Sequence, residues 1–497
     1  MSQRSFAFTP AAIRSLEEER DLLERQRHQR RVLEPRLTCY LLRKEARERS
    51  AQSSMTAAGP PTPLVCRDLV VQNALFTGDM QAMKELFPIG SSATLVIQPE
   101  GGAMRWVADG KMRGLWSLTY EQELTTPLHI TAGRGFTDCL RHLLLRGASV
   151  DFAPGGSTPL HEACEACQPD CVKLLLQYGA NANATSEDGL MPLHVCTELE
   201  SLECAKQLLQ FGAAISGRSL EENDTPLHVA ARHGLPEHVA LYLRYGGVLE
   251  HQNDEGLTPL NAACSQPQEH STLERYTHVC RQLVEAGANV RTGDADRQTP
   301  LHMVCKNANP DVVDLLLQSG ALVNEMDYGG DAPMHNILKI VAYKLEHQPE
   351  RIVQALLNYG SIRVWPGALP KNRWRYHCRW KLSLLPGSRS RFCFPTLNVL
   401  KFCCMSPRTI EVLLNAYDRF RVTDKWVEAI VPEIFQKHQE FYESVFALAS
   451  GPRSLQHLAR HQLRTYLEGR LIKVVPRLGL PTFLRAYLLL EFRGYVH

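Results

Sequence analysis

The sequence predicts an all-α protein built from stacked helical repeats. A tetrapeptide of the type Thr-Pro-Leu-His recurs seven times, with its prolines 32, 33, 34, 33, 41 and 33 residues apart. After each copy an apolar stretch runs to a glycine, and the interval from proline to glycine is 20 residues in five copies. The seven prolines are Pro127, Pro159, Pro192, Pro226, Pro259, Pro300 and Pro333. A fixed period of this length indicates a solenoid, in which each repeat buries its apolar face against its neighbours.

Each part of the repeat has a physical reason to be helical or to end a helix. Proline suits the first turn of a helix, where its missing N–H leaves no hydrogen bond unmade. The threonine before it can cap that turn with its hydroxyl. A second apolar helix follows, as in Cys171–Leu176, and stops where a glycine can take the left-handed conformation. Those glycines are Gly147, Gly179, Gly212, Gly246, Gly287, Gly320 and Gly360.

Two copies are longer than the others between their helices. The interval from proline to glycine is 28 residues from Pro259 to Gly287 and 27 from Pro333 to Gly360. The extra residues fall in Ser265–Thr277 and Lys339–Pro349. Insertions in a solenoid map to one face and are often where partners bind. We nevertheless favour tolerated surface loops, because long loops cost little free energy.

The overall composition predicts a reduced, soluble protein inside the cell, cytoplasmic with the nucleus as the alternative. The formal net charge of +2 gives no global attraction to nucleic acid or to a membrane. We expect no membrane span, because no run of about 18 apolar residues occurs, and the charged N-terminus does not resemble a signal peptide. Many of the 15 cysteines lie in apolar helical patterns, where a thiol packs as a small apolar group. These are Cys139, Cys171, Cys204, Cys264, Cys280 and Cys305.

The Thr-Pro-Leu-His opening and the 33-residue period resemble the ankyrin repeat. The resemblance implies a solenoid of helix-turn-helix repeats with β-hairpin-like loops, whose extended surface binds proteins. We place the array at residues 65–361, with a degenerate first repeat and seven copies starting near 125, 157, 190, 224, 257, 298 and 331. Residues 1–64 are predicted to be a charged, partly helical arm and linker. Residues 362–406 are predicted to be a linker, and residues 407–449 a partial repeat with connecting helices.

The segment from residue 450 to residue 497 resembles a SOCS box, a small three-helix module. Its first half, Ser454–Arg464, resembles the elongin-binding motif, and the resemblance assigns elongin contacts to Leu455, Leu458, Ala459 and Leu463. On a helix these residues and Tyr466 share one face, which makes them a helix-in-groove docking stripe. Ala459 stands where the motif has cysteine, and the smaller contact area weakens docking by about 1 kcal/mol.

The second half of the box resembles the family's cullin-selecting stretch. Leu478-Gly479-Leu480-Pro481 precedes a helix of the pattern Leu-x-x-Tyr-Leu. The resemblance assigns cullin contacts to Leu480, Pro481, Leu484, Tyr487 and Leu488. Gly479 replaces the first proline of the motif and loosens the backbone there. An ordinary amphipathic helical cap on the array is the alternative interpretation of both halves.

An ankyrin array followed by this box resembles the ankyrin repeat and SOCS box family, whose members are implied to be substrate receptors of ubiquitin ligases. The implied partners are elongin B and elongin C, cullin-5 with its RING subunit, and an unidentified protein substrate. The receptor itself is expected to carry no catalytic residue, cofactor or metal. One rival hypothesis is a plain ankyrin adaptor whose box, altered at Ala459 and Gly479, recruits no ligase.

Two further patterns point to other chemistry. His161, Cys164, Cys167 and Cys171 have metal-like spacing, but His161 is the standard histidine of its repeat and we predict no zinc site. Residues 372–398 interleave arginine and lysine with aromatic residues and carry no acidic side chain. A second rival hypothesis is therefore nucleic-acid binding through this insertion. We favour an incidental loop, because the insertion lacks the repeat period.

Overall fold

The computed structural model describes residues 64–66, 68–89, 94–97, 105–108, 116–119, 125–362, 402–418, 424–428 and 430–491. The predicted N-terminal arm, apart from Leu64, and the 372–398 insertion lie outside these residues. The chain divides into two compact units. One comprises Met1–Ile130 with Arg141–Ser149, and the other Thr131–Leu140 with Val150–His497.

The first unit contains a pair of helices where the sequence predicts a degenerate repeat. Asp68 caps helix α1 (Leu69–Thr77) and Asp79 caps α2 (Met80–Leu86), each by accepting hydrogen bonds from backbone N–H groups of the first turn. The unit also contains short strands that the sequence pattern did not predict. Strands β1 (Leu64–Cys66) and β2 (Leu95–Ile97) pair in parallel, and β3 (Arg105–Ala108) and β4 (Trp116–Thr119) pair antiparallel.

The regular repeats are pairs of helices, as predicted. The first helices begin at the repeated proline and are α3 (Pro127–Gly133), α5 (Pro159–Glu165), α8 (Pro226–Arg232), α10 (Pro259–Ser265), α12 (Pro300–Asn307) and α14 (Pro333–Ile340). The second helices are α4 (Thr137–Leu145), α6 (Pro169–Gln177), α7 (Leu202–Gln210), α9 (Pro236–Arg244), α11 (Leu273–Glu285), α13 (Pro310–Gln318) and α15 (Pro349–Asn358). All seven glycines predicted to end the second helices have positive φ angles, between 78° and 102°, which confirms their role.

The third regular repeat lacks its first helix. Residues 192–194 after Met191 form only a turn, and a 3₁₀ turn at Leu199–Ser201 leads into α7. The segment Val195-Cys196-Thr197 consists of residues with low helix propensity, whereas the next copy has Ala230-Ala231 in the corresponding place. Because these first helices have only seven or eight residues, a few poor helix formers are enough to prevent one.

In four of the regular repeats the histidine of the tetrapeptide connects its repeat to the next one. In the second regular repeat the backbone N–H of Thr158 donates to Nδ1 of His161 at 3.3 Å, so the ring proton is on Nε2. That Nε2 donates to the carbonyl of Leu190 in the following repeat at 3.0 Å. His194, His228 and His302 make the same contact with the carbonyls of Asp224, Leu257 and Asp331. These buried imidazoles therefore stabilise the stacking of successive repeats.

The loops between repeats are tight, β-hairpin-like turns, as predicted, in which for example the amide of Asn253 donates to the carbonyl of Leu257 at 3.0 Å, and neighbouring loops bond to each other through the backbone. Within residues 126–362 the structure has no strand. The amide of Asp254 donates to the carbonyl of Glu222, and the amide of Ala295 to that of Glu255, both at 3.0 Å. Each loop tip thus pairs with the preceding tip by a single bond, which is too little for a strand ladder.

The six cysteines predicted to pack as apolar groups are all buried, each at most 2% exposed. Burial raises the pKa of Cys171 to about 12 and that of Cys305 further above its ordinary value. A thiol with a raised pKa is a poor nucleophile. The cysteines of the array interior therefore serve packing.

The two insertions contact each other across the repeat that lies between them. Nζ of Lys344 donates to the carbonyl of Gln268 at 2.9 Å, and the rings of His270 and His347 lie 6.0 Å apart. Nδ1 of His347 also contacts the carbonyl of Ala308 in the intervening repeat. The insertions therefore form a brace along repeats five to seven.

Asn309 is the buried centre of this brace, and its loss is expected to destabilise the array. Its Nδ2 donates to Oε1 of Gln268 at 2.8 Å, and its Oδ1 accepts from the amide of Val312 as the N-cap of α13. Asn309→Ala removes the cap and leaves Oε1 of Gln268 without its donor, at a cost of about 2–4 kcal/mol. Urea unfolding measures the loss, with exposed Asn289→Ala as the control. Equal stability of the two variants would contradict this role.

The C-terminal part of the second unit contains the predicted three-helix box. Four helices precede it, namely α16 (Pro407–Asn415), α17 (Asp424–Glu428), α18 (Pro432–Lys437) and α19 (Gln439–Ser450). The box helices are α20 (Leu455–Leu467), α21 (Leu471–Val474) and α22 (Thr482–Leu488). Leu471, Val475 and Leu488 form its small core.

Candidate partner-docking site at the C-terminus

Helix α20 presents apolar side chains to solvent. Leu455 is 85% exposed, Leu463 is 48% exposed and Tyr466 is 76% exposed, and Ala459 is also exposed. We call Leu455, Ala459, Leu463 and Tyr466 the apolar stripe, because their spacing places them along one side of the helix. Leu458, the remaining residue of the predicted elongin set, is half-buried beside it. Exposed apolar side chains grouped on one helix face are typical of a protein-docking surface.

The opposite side of α20 is cationic and buried. Arg453 just before the helix and His457, Arg460 and Arg464 within it are each at most 9% exposed. We call these four residues the cationic face, after its three arginines. Nε2 of His457 donates to the carbonyl of Tyr417 at 2.7 Å, and burial lowers the pKa of this imidazole to about 4. The helix is therefore amphipathic in an inverted sense, with its charges inside and its apolar residues outside.

The predicted cullin residues are divided between surface and core. Pro481 is exposed, and Leu480 and Leu484 are partly exposed. Tyr487 and Leu488 are 9% and 6% exposed, and the guanidinium carbon of Arg460 lies 4.1 Å from the centre of the Tyr487 ring. Within the chain alone, only the first three of the five are accessible to a partner.

Gly479 has a backbone conformation that the family's proline could not adopt. Its φ is +59°, whereas the proline ring fixes φ near −65°. The substitution therefore changes the path of the chain into Pro481 and α22. This is a physical reason why the cullin segment of this chain departs from the motif.

Several residues of the site were missed by sequence reasoning. Phe483 is 66% exposed and Leu478 is 50% exposed, and both border the cullin segment. The cationic face was also missed, although its spacing of four, three and four residues is a helical signal that the sequence carries. That signal was overlooked because a basic stripe on a helix is normally interpreted as solvent-exposed.

The described residues hold no group of three or more His, Cys, Asp and Glu side chains that could bind a metal ion. His161, from the metal-like pattern, is engaged with Thr158 and with the carbonyl of Leu190. None of the helices in the described part of the chain is long and apolar enough to cross a membrane. The residues proposed for the nucleic-acid alternative, 372–398, lie outside the described ranges.

Comparison with known families agrees with this geometry. The family model for ankyrin repeats matches residues 115–186, 179–248, 236–327 and 270–364, and the model for the SOCS box matches residues 451–489. Ankyrin repeat and SOCS box protein 16 of Mus musculus is 38% identical over 504 residues, which cover 100% of both chains. This chain belongs to the ankyrin repeat and SOCS box family.

Other members of the ankyrin repeat and SOCS box family are also similar over most of the chain. Protein 10 of Homo sapiens is 47% identical over 388 residues, which cover 77% of each chain. Protein 18 of Homo sapiens is 41% identical over 431 residues, which cover 85% of this chain and 86% of the relative. Among solved structures, the human ASB11 ankyrin repeat domain matches with a TM-score of 0.40 and 28% identity, covering 47% of this chain and 97% of that chain.

Proposed function

We propose that this protein is the substrate-recognition subunit of an elongin–cullin–RING ubiquitin ligase. In this proposal the ankyrin array holds a target protein, and the box binds elongin B and elongin C together with cullin-5 and its RING subunit. Ubiquitination then marks the target for degradation by the proteasome. The observation that carries the proposal is the outward-facing apolar stripe on α20, within a segment that matches the SOCS box.

The exposure of the stripe supports a protein partner for the box. A leucine that is 85% exposed gains about 1.5–3 kcal/mol when a partner buries it completely. Leu463 and Tyr466 add further apolar area on the same side of the helix. An ordinary helical cap would instead turn these residues toward the array, where α20 places its arginines. The arrangement favours docking of α20 into the groove of a partner over a purely structural cap.

We assign the cullin contact to the surface formed by Leu480, Pro481 and Leu484. Phe483 is an additional exposed side chain that the cullin would bury. Phe483 and Pro481 are exposed next to each other at the start of α22. Tyr487 and Leu488, which are buried, would support this surface from behind rather than form it. A cullin docked there would lie beside elongin because both segments belong to one small module.

Recruitment also fits the chemistry of the array. A subunit that transfers ubiquitin needs a nucleophilic thiol in an electropositive, accessible site. The buried cysteines of the array have raised pKa values instead. The receptor therefore acts by proximity, since it raises the local concentration of the target at the ligase.

Co-purification of the full chain with elongin B, elongin C and cullin-5 tests the proposal. The expected result is a stable complex of the four proteins. A folded chain that retains neither elongin would overturn the proposal and leave the plain ankyrin adaptor with a decayed box. Retention of the elongin pair without cullin-5 would contradict the cullin contact and point to Gly479 as the cause.

A further inference from the structure

The cationic face of α20 is bound to the C-terminal ends of α16 and of the last array helix, α15. Nη2 of Arg453 donates to the carbonyl of Leu414 at 3.1 Å, and Nη2 of Arg460 donates to the carbonyl and the Oδ1 of Asn415 at 3.3 and 3.1 Å. Both acceptors lie at the end of α16. The last carbonyls of a helix lack the i+4 amide donor, and although the carbonyl of Leu414 also accepts from the amide of Tyr417 at 3.3 Å, the arginines add charged donors at this helix end.

Arg464 makes the corresponding contact with α15. Its Nη1 donates to Oδ1 of Asn358 at 2.8 Å, and its Nη2 donates to the carbonyl of Leu357 at 3.2 Å. The C-terminal end of a helix carries a partial negative charge, which stabilises a nearby cation. A planar guanidinium can reach several acceptors in fixed directions, which an ammonium cannot do. The bonds therefore fix an orientation as well as a distance.

Arg460 and Arg464 also contact the second half of the box. Nη1 of Arg464 donates to the carbonyl of Leu488, at the end of α22. Arg460 lies over the ring of Tyr487, 4.1 Å from its centre. From the array side, Nδ2 of Asn358 donates to the carbonyl of Leu489 at 2.8 Å. Arg460 and Arg464 thus connect α20 to α16 and α15 on one side and to α22 on the other.

A close backbone contact lies beside these bonds. A Cβ atom added to Gly469 would be 3.0 Å from the carbonyl oxygen of Tyr359, and one added to Gly360 would be 2.9 Å from the amide nitrogen of Gly469. Only glycines allow the chain of the box to come so near the end of α15. This contact involves no arginine and is therefore an independent sign of a tight fit.

We propose that Arg460 and Arg464 are positioning residues that hold the box in one orientation against the end of the array. The functional meaning of this inference rests on the ligase proposed above. In that complex the two arginines would fix the direction in which bound elongin and cullin extend from the array. The distance between a target on the array and the incoming ubiquitin would then be set by this contact. The apolar stripe takes no part in it, because it lies on the other side of α20.

Distance measurement between spin labels tests the proposal. Labels are attached through unnatural ketone residues at exposed Gln318 on α13 and exposed Lys473 on α21, which leaves the native cysteines untouched. Double electron–electron resonance on the full chain, free and with the elongin pair, is expected to show one narrow distance. Arg464→Met and Arg460→Met are expected to broaden it, and Arg464→Lys to restore it in part. Exposed Arg470→Met is the matched control and is expected to leave the distance narrow.

Binding of the elongin pair distinguishes orientation from folding. We expect its affinity to change less than about threefold in the methionine variants, because the stripe is intact. A narrow distance in both variants would overturn the proposal, as would loss of elongin binding with an unchanged distance. If the methionine variants do not fold, Arg464→Lys and Arg460→Lys are used, since an ammonium cannot reach the several acceptors of a guanidinium, and a distance as narrow as in the intact chain counts against the proposal. If the intact chain binds no elongin, the function proposed above fails, whereas the free chain still tests the positioning role.

Discussion

Replacing Leu455 by aspartate is expected to reduce the affinity of the chain for the elongin pair by at least about 100-fold. Leu455 is the most exposed residue of the apolar stripe, at 85%, so it contributes little to the stability of the chain itself. A partner that buries it would gain about 1.5–3 kcal/mol, and the aspartate forfeits this gain and must also lose its hydration. Together these effects exceed the 2.7 kcal/mol or so that correspond to a 100-fold change.

Calorimetric titration of the elongin pair into the full chain measures this effect. Leu345→Asp is the matched control, because Leu345 is also an exposed leucine, 40% accessible, but lies in the array. The control is expected to bind as the intact chain does, and both variants are expected to keep its melting temperature within a few degrees. If Leu455→Asp bound elongin with unchanged affinity, the apolar stripe would not be the docking surface.

The second large effect is a loss of stability in mild acid. Burial lowers the pKa of four histidines to about 4, namely His228, His238, His335 and His457. In the unfolded chain they titrate near 6.5, so below that pH the unfolded state binds more protons. Their stabilisation is complete above about pH 6.5 and is lost as the pH falls toward 4. Between pH 7.5 and pH 5 each loses about 2 kcal/mol.

Three acidic groups oppose this trend, because burial also raises the pKa values of Asp294 and Asp314. Burial raises the pKa of Asp224 to about 6, so its protonation favours the folded state as the pH falls through that value. For Asp224 the gain in stability by pH 5 is about 1 kcal/mol, which offsets about half of the loss from one histidine. The net loss is therefore several kcal/mol, a large part of the 5–15 kcal/mol or so that ordinarily separates folded from unfolded states.

The chain itself suggests the variant that tests the acid effect. In the fifth regular repeat Asn261 replaces the histidine and donates from Nδ2 to the carbonyl of Thr292 at 3.1 Å. His228→Asn can make the same contact without titrating. Urea unfolding at pH 7.5 and pH 5 is expected to show a loss smaller by about 2 kcal/mol than in the intact chain. Exposed His278→Asn is the control, and an equal loss in both variants would contradict the role of His228.

The repeat frame could be predicted from the sequence because its signals are local. Proline starts a helix and glycine ends one through their own backbone preferences, so Pro226 and Gly246 fix a repeat without any knowledge of its neighbours. The missing first helix at Pro192 shows the limit of that argument. The tetrapeptide was present, but the weak helix formers behind it decided the outcome.

The candidate site was predictable in its segment but not in its surfaces. The spacing of Leu455 and Leu463 placed them on one face of a helix, and in the structure both side chains are exposed. That Tyr487 is buried under Arg460 depends on contacts with α15 and α16, which are remote in sequence. Contacts of this kind have no local pattern, and neither does the meeting of the two insertions through Lys344 and Gln268.

The absent helix of the third regular repeat also affects how the array comes apart. In a solenoid each repeat is coupled only to its neighbours, so cooperative unfolding depends on the contacts between adjacent repeats. A repeat with one α-helix instead of two has fewer internal hydrogen bonds to contribute. We therefore expect the local stability of the array to be lowest at residues 191–198. Amide hydrogen exchange in this segment is accordingly expected to be faster than in the first helices of the repeats on either side.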